Sequence, residues 1–162
     1  MKVVKIILLV LLAAFVVIQF IRPPKNVSDG NMPNDISRKF RIPEHVQTEL
    51  HNSCYDCHSN NTRYPWYAEV QPVGWLLDKD IRDAKKNLNF SEFGAYRLRR
   101  QYIKLGQIAD QVSEEEMPLP NYTIMHTDAK LSPERRARLV TWANAMRDSM
   151  KAMYPPDSLE RK

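Results

Sequence analysis

The two cysteines of this 162-residue chain lie three positions apart, and a histidine directly follows the second one. They form the motif C-x-x-C-H, which reads Cys54-Tyr55-Asp56-Cys57-His58. Two thiols at this spacing can each add to one vinyl group of a porphyrin, while the histidine binds iron from one face. The motif therefore predicts one covalently attached haem c, with Cys54 and Cys57 as attachment residues and His58 as the proximal iron ligand.

A close cysteine pair has three other common uses. A thioredoxin-like redox disulfide belongs to a βαβ unit, and the chain has no alternating apolar runs that indicate strands. A zinc site needs four ligands, and the usual second C-x-x-C or H-x-x-x-H pair is missing. Two structural thiols are the third alternative. The histidine that directly follows Cys57 favours haem over all three.

The second iron ligand is predicted in the segment Glu116-Met117-Pro118-Leu119-Pro120. The two prolines stiffen the chain into an extended form that cannot continue as helix, so this segment can press a thioether onto iron. We expect Met117 to be the distal ligand, with His126 as the alternative. A methionine that merely fills the haem pocket is the competing interpretation.

Aromatic residues are frequent between the motif and the end of the chain, where a porphyrin would need walls. Trp66 and Tyr67 are candidates to line the haem pocket, although ordinary core packing explains each of them equally well. Arg63 is a candidate partner for a haem propionate because of its charge. These three residues complete the predicted site.

The first residues predict an uncleaved signal anchor. Lys2 and Lys5 provide a basic start, and the following run to Ile21 is apolar apart from Gln19. The end of this run, from Phe15 to Phe20, contains large side chains, and Arg22-Pro23-Pro24 follows it. A cleavage site would need small side chains here. We expect residues 1–22 to form a transmembrane helix of the inner membrane, crossing it once, with the haem domain facing the periplasm.

The remaining chain divides into a tether, a domain and a tail. Residues 23–42 are polar and rich in Pro, Asn and Ser, which predicts a flexible tether. Residues 43–150 contain amphipathic helical segments that begin near Pro43, Val73, Tyr96 and Ser132. Residues 151–162 form a polar tail. The predicted fold is all-α: a small cytochrome c-like helical domain around one covalently bound haem, preceded by the transmembrane helix.

The order of these segments resembles single-haem c-type cytochromes, in which the first and last helices cross beside the haem. More narrowly, several separated motifs resemble the bacterial haem-binding domain family over about Pro43 to Arg147. They are Asn52 to Asn60, Tyr64-Pro65-Trp66-Tyr67, Leu88 to Phe93, Glu116 to Pro120, and Leu131-Ser132 to Trp142-Ala143. The resemblance implies haem binding and also implies Met117 as the distal ligand.

These features predict a membrane-anchored monohaem cytochrome that passes single electrons between redox partner proteins in the periplasm. The alternative is a haem-based sensor whose sixth ligand is weak or displaceable. An enzyme is not expected, because the chain has no second C-x-x-C-H and no evident distal His and Arg pair for peroxide cleavage. The net charge of +5 is spread along the chain, so a nucleic-acid partner is not expected either.

Overall fold

The computed structural model describes residues 1–160, and within them every regular element is helical. The predicted all-α class is therefore confirmed. The α-helices of this described part are α1 (Lys2–Ile18), α2 (Ile36–Lys39), α3 (Glu44–Ser53), α4 (Tyr55–His58), α5 (Val73–Asn87), α6 (Leu98–Ser113), α7 (Pro120–Met125), α8 (Pro133–Met153) and α9 (Pro156–Leu159). Short 3-10 helices cover Trp66–Glu69, Phe90–Ala95 and Thr127–Ala129.

The core forms where α6 packs against α8. Leu105, Ile108, Ala109 and Val112 recur at helical spacing on α6 and are all buried. The buried residues of α8 are Leu139, Trp142, Ala143 and Met150. Helix α8 begins where sequence rules place it, because the hydroxyl of Ser132 accepts a hydrogen bond from the backbone N–H of Arg135 and Pro133 occupies the first turn.

Helix α3 joins this core through Val46 and Leu50, which are buried against it. Glu49 lies on the same buried side and is only 5% exposed. Its carboxylate forms ion pairs with Arg135 and Arg138 of α8. A buried carboxylate needs such partners, because water is no longer available to solvate its charge. These ion pairs link α3 to α8.

The segment predicted as a tether, residues 23–42, packs against the domain. Asn26 donates hydrogen bonds from its backbone N–H to the Tyr64 hydroxyl at 2.6 Å and from its side chain to the Ser59 carbonyl at 2.9 Å. Farther along, Ile36 and Phe40 are 0% and 8% exposed and belong to the core. This segment is part of the packed structure rather than a free tether, because Ile36 and Phe40 are buried in the core and Asn26 is hydrogen-bonded to the domain.

The predicted transmembrane helix over residues 1–22 is not supported. Within residues 1–160, no helix combines the length and the apolarity needed to cross a membrane. Helix α1 ends at Ile18 after 17 residues, which gives a length of about 26 Å against about 30 Å of hydrocarbon. No residue of α1 is buried against the domain.

The C-terminal tail also differs from the prediction for residues 151–162. Leu159 in α9 is 2% exposed and packs in the core. Arg99 of α6 donates hydrogen bonds to the carbonyls of Asp157 and Glu160 at 2.8 and 2.9 Å. The tail therefore packs on α6 as far as Glu160, and its last two residues lie outside the described part of the chain.

Candidate haem site

The C-x-x-C-H motif occupies the junction between α3 and α4. The Cys54 N–H still donates to the carbonyl of Leu50 at 2.9 Å, as in a continuing helix. The Cys54 carbonyl then accepts from the N–H groups of Cys57 at 3.2 Å and His58 at 2.9 Å. This single tight turn presents both thiols and the imidazole from one short segment. The buried stripe of α3 anchors the segment, as the spacing of Val46, Leu50 and Cys54 predicts.

His58 is held in one orientation by the C-terminal end of α5. Its Nδ1 lies 2.9 Å from the carbonyl oxygen of Leu88. Since a carbonyl oxygen only accepts, Nδ1 carries the proton and Nε2 keeps its lone pair. Burial lowers the pKa of His58, although backbone carbonyls oppose this shift. The ring is therefore neutral and positioned as a metal-binding imidazole requires.

Both cysteines are free thiols, and their surroundings keep them protonated. Burial is the main cause that raises the pKa of Cys54 to about 12. Burial and the charge of Asp56 raise the pKa of Cys57 to about 11. A redox dithiol or a zinc site needs thiolates, which positive surroundings stabilise. The thiol environment therefore does not favour either alternative.

A single cavity of about 780 Å³ brings the motif and the distal candidate together. Its volume lies within the range of cofactor pockets. Cys54, Cys57 and His58 line the cavity, and Met117 lines it as well. The apolar part of the wall includes Leu88, Phe90, Ile108, Val112 and Leu119. The structure thus places the two predicted attachment residues and the two predicted iron ligands around one space.

The backbone around Met117 is fixed to the end of α6. The carbonyl of Gln111 accepts from the N–H groups of Glu116 at 3.0 Å and Met117 at 3.1 Å. Glu115 has a φ of 63°, in the left-handed region, where the chain turns back toward the cavity. Pro120 does not extend this loop as expected. It opens α7 instead, because proline suits the first position of a helix.

Arg63 lies outside the cavity lining and is bound to Asp56, the residue between the two cysteines. Its Nε and Nη2 donate to the two carboxylate oxygens of Asp56, each at 3.1 Å. The Tyr122 hydroxyl donates to the same carboxylate at 2.7 Å, and burial together with this bond raises the pKa of Tyr122. Arg63 and Tyr122 thus supply hydrogen bonds to the buried carboxylate of Asp56, and these bonds stabilise the motif.

We expect Asp56→Asn to destabilise the domain by about 1–3 kcal/mol, since hydrogen bonds to a buried charged group contribute amounts of this order. Urea unfolding of the haem-loaded protein measures the change. The matched control is Asp148→Asn, which removes an exposed carboxylate paired with Lys151 away from the cavity. Equal losses of unfolding free energy for the two variants would contradict a special role for Asp56.

Trp66 and Tyr67 do not line the cavity. Trp66 is 77% exposed. The Tyr67 hydroxyl lies 2.7 Å from Nε2 of His126, whose ring stacks on Tyr122 at 4.3 Å. His126, the alternative distal ligand, therefore has its Nε2 hydrogen-bonded to Tyr67 outside the cavity lining.

Sequence reasoning missed Leu88 and Ile108 as pocket residues. The helical spacing of Lys104, Ile108 and Gln111 could have identified one wall.

These side chains fit a haem. The cavity is lined by both thiols of the motif, a neutral imidazole that can bind a metal through Nε2, and a thioether, and part of its wall is apolar. A helical domain of this kind defines a small haem-binding protein. The sequence model of the haem-binding domain family matches residues 13–145. The chain therefore belongs to the haem-binding domain family.

A curated relative also shares part of the sequence. The chain is 29% identical over 92 residues to the cytochrome c peroxidase Ccp of Escherichia coli (strain K12). The matching region covers 55% of this chain but only 20% of that protein, so the chain spans about a fifth of the length of its relative. No solved structure matches the chain significantly.

Proposed function

We propose that this chain is a monohaem c-type cytochrome that transfers single electrons between redox partner proteins. Cys54 and Cys57 attach the haem covalently, and His58 and Met117 bind the iron from opposite faces. The observation that carries the proposal is the shared cavity, which both thiols, the imidazole and the thioether line together. Bound haem supplies an iron that alternates between the ferric and ferrous states.

The fixed backbone on both sides of the cavity suits electron transfer. The Leu88 carbonyl holds the imidazole of His58, and the end of α6 holds the loop that carries Met117. With both ligands held by separate helices, little has to move when one electron arrives or leaves. Opposite His58, a thioether also favours a higher reduction potential than a second imidazole would.

The exposed helix α1 supports attachment of the domain to a membrane. Its large apolar side chains, from Val3 to Val17, are between 46% and 68% exposed. An apolar surface of this extent is favourable in contact with lipid. We place the domain on the periplasmic side of the inner membrane, since Lys2 and Lys5 lie at the N-terminal end of α1 and positive residues favour the cytoplasmic side. The redox partners then belong to that membrane or compartment.

The side chains around the cavity support a carrier over a peroxidase. Within residues 1–160, His58 is the only histidine of the cavity lining, and no arginine contributes to it. A peroxide-cleaving site would need polar groups of that kind opposite the proximal ligand.

A haem-based sensor is the second candidate, because Met117 is only half-buried. A gaseous ligand would have to displace its sulfur from the iron.

Absorption spectra of the holoprotein, with and without carbon monoxide, test the carrier function. We expect a weak far-red band of the ferric protein, typical of a methionine–iron bond, and no binding of carbon monoxide by the reduced protein. Both results follow from stable coordination by His58 and Met117. Rapid binding of carbon monoxide to the unaltered holoprotein would refute the carrier and favour the sensor.

A further inference from the structure

The charged side chains of the haem cavity are mostly acidic. Its lining contains Asp56, Asp80, Asp83, Asp110 and Glu114, against the cations Lys79 and Lys104. Arg63 pairs with Asp56 from outside the cavity. The other four carboxylates still outnumber the two cations. A haem brings two further carboxylates, its propionates, into this surrounding. Unpaired carboxylates at short range repel each other, so the propionates need a cationic partner.

The two lysines differ in what they already bind. Nζ of Lys79 lies 3.1 Å from the carboxylate of Asp83, in an exposed i,i+4 ion pair. Nζ of Lys104 donates to the side-chain oxygen of Gln107 at 2.7 Å, which is an uncharged partner. Among the lining cations in residues 1–160, Lys104 alone has no ion pair with a carboxylate. Its charge is therefore available to an incoming anion.

The environment of Lys104 also favours an anionic partner. The side chain is half-buried beside the cavity. Burial and the nearby Arg100 lower the pKa of Lys104. Both effects disfavour the ammonium charge, and a carboxylate at hydrogen-bond distance opposes them. The cavity thus contains a lysine whose positive charge is not yet paired with a carboxylate.

The position of Lys104 on α6 fits this role. Lys104, Ile108 and Gln111 recur at helical spacing and line the same wall. Gln111 lies beside the Met117 loop, and Lys104 lies at the other end of this stripe, about 10 Å away along the axis. Lys104 therefore lies well away from the distal ligand and does not compete for the iron. Arg63, the candidate from sequence, is excluded by its two bonds to Asp56.

We propose that Lys104 forms an ion pair with a haem propionate. This inference deepens the proposed function and rests on it, because it assigns the cavity to haem. The ion pair orients the porphyrin edge and places a positive charge beside the iron. A positive charge disfavours the ferric state relative to the ferrous state, so it raises the reduction potential.

The test compares Lys104→Gln with Lys79→Gln in haem-loaded full-length protein. We expect Lys104→Gln to lower the midpoint potential and to shift the propionate bending mode in the resonance Raman spectrum. Lys104→Arg retains the charge and should remain close to the unaltered protein in both measurements. Lys79→Gln tests the other lining cation and should have a smaller effect on both measurements than Lys104→Gln, because the charge of Lys79 is already paired with Asp83. Lys104→Met serves as the second neutral variant if Lys104→Gln accumulates poorly.

Two outcomes would overturn the inference. The first is a neutral variant of Lys104 with an unchanged potential and an unchanged propionate mode. The second is a propionate shift in Lys79→Gln alone, which would assign the ion pair to Lys79. Failure of the carrier function is a separate result, since it is detected by carbon monoxide binding to the unaltered protein. The propionate mode can be measured in either case, because it requires only bound haem.

Discussion

Replacing both Cys54 and Cys57 by serine is expected to abolish the covalent retention of haem. In the unaltered protein, haem should remain with the chain after denaturation and acidic organic extraction. The double variant should release all of it, because serine hydroxyls do not add to the vinyl groups that thiols attack. Each single variant keeps one attachment and should retain haem to a smaller extent.

The control for this experiment is Tyr55→Phe, a change inside the same motif. It removes only a hydroxyl that lies 3.3 Å from the carboxylate of Asp35 and leaves both thiols in place. This variant should retain haem fully. If the double serine variant still holds haem through denaturation, the attachment residues are wrong. If the unaltered protein releases its haem, the cofactor is held by the cavity without covalent bonds.

Met117→Ala is expected to have the second large effect, on the ligation of iron. The far-red band of the ferric protein should disappear, and the reduced protein should bind carbon monoxide rapidly. Loss of the thioether should also lower the reduction potential, since methionine favours the ferrous state. The backbone of the loop is held by the Gln111 carbonyl, so the change should leave the fold intact.

The matched control is Met125→Ala, because Met125 is 55% exposed on α7 and does not line the cavity. It should leave the spectrum and the response to carbon monoxide unchanged. Survival of the far-red band in Met117→Ala would refute the ligand assignment. In that case His126→Asn tests the alternative ligand, whose Nε2 lies 2.7 Å from the Tyr67 hydroxyl in the described structure.

The long helices were predictable because their signals are local. The sequence predicts a helix that begins near Val73, and α5 begins at this residue. Ser132 followed by Pro133 predicts the start of α8, and the capping hydrogen bond is present. In each case the apolar spacing, the cap and the proline act within a few residues. Distant contacts are not required to define such an element.

Packing of the polar segments was not predictable in the same way. The tether of residues 23–42 was inferred from composition, yet Ile36 and Phe40 are buried in the core. The tail was predicted from its polarity, yet Leu159 packs against the domain. A single apolar residue has no periodicity, so only the distant surface that receives it determines whether it is buried.

The roles of charged and aromatic residues required the tertiary structure for the same reason. Arg63 carries the charge a propionate needs, but it is bound to Asp56. Trp66 is an aromatic residue near the motif, but it is exposed. Side-chain chemistry indicates what a residue can bind. Direction and distance decide what it does bind.

The sequence by itself determined the all-helical class, the two thiols with their neighbouring histidine, and the methionine expected across the pocket. These depend on residue type and on spacing along one turn of chain. Only the tertiary structure decided that His58 and Met117 line one cavity, that Arg63 stabilises the motif from behind, and that Lys104 is the lining cation without a carboxylate. Those relations join residues far apart in the chain, and the packing of α5 against α4 and of α6 against α8 sets the distances between them.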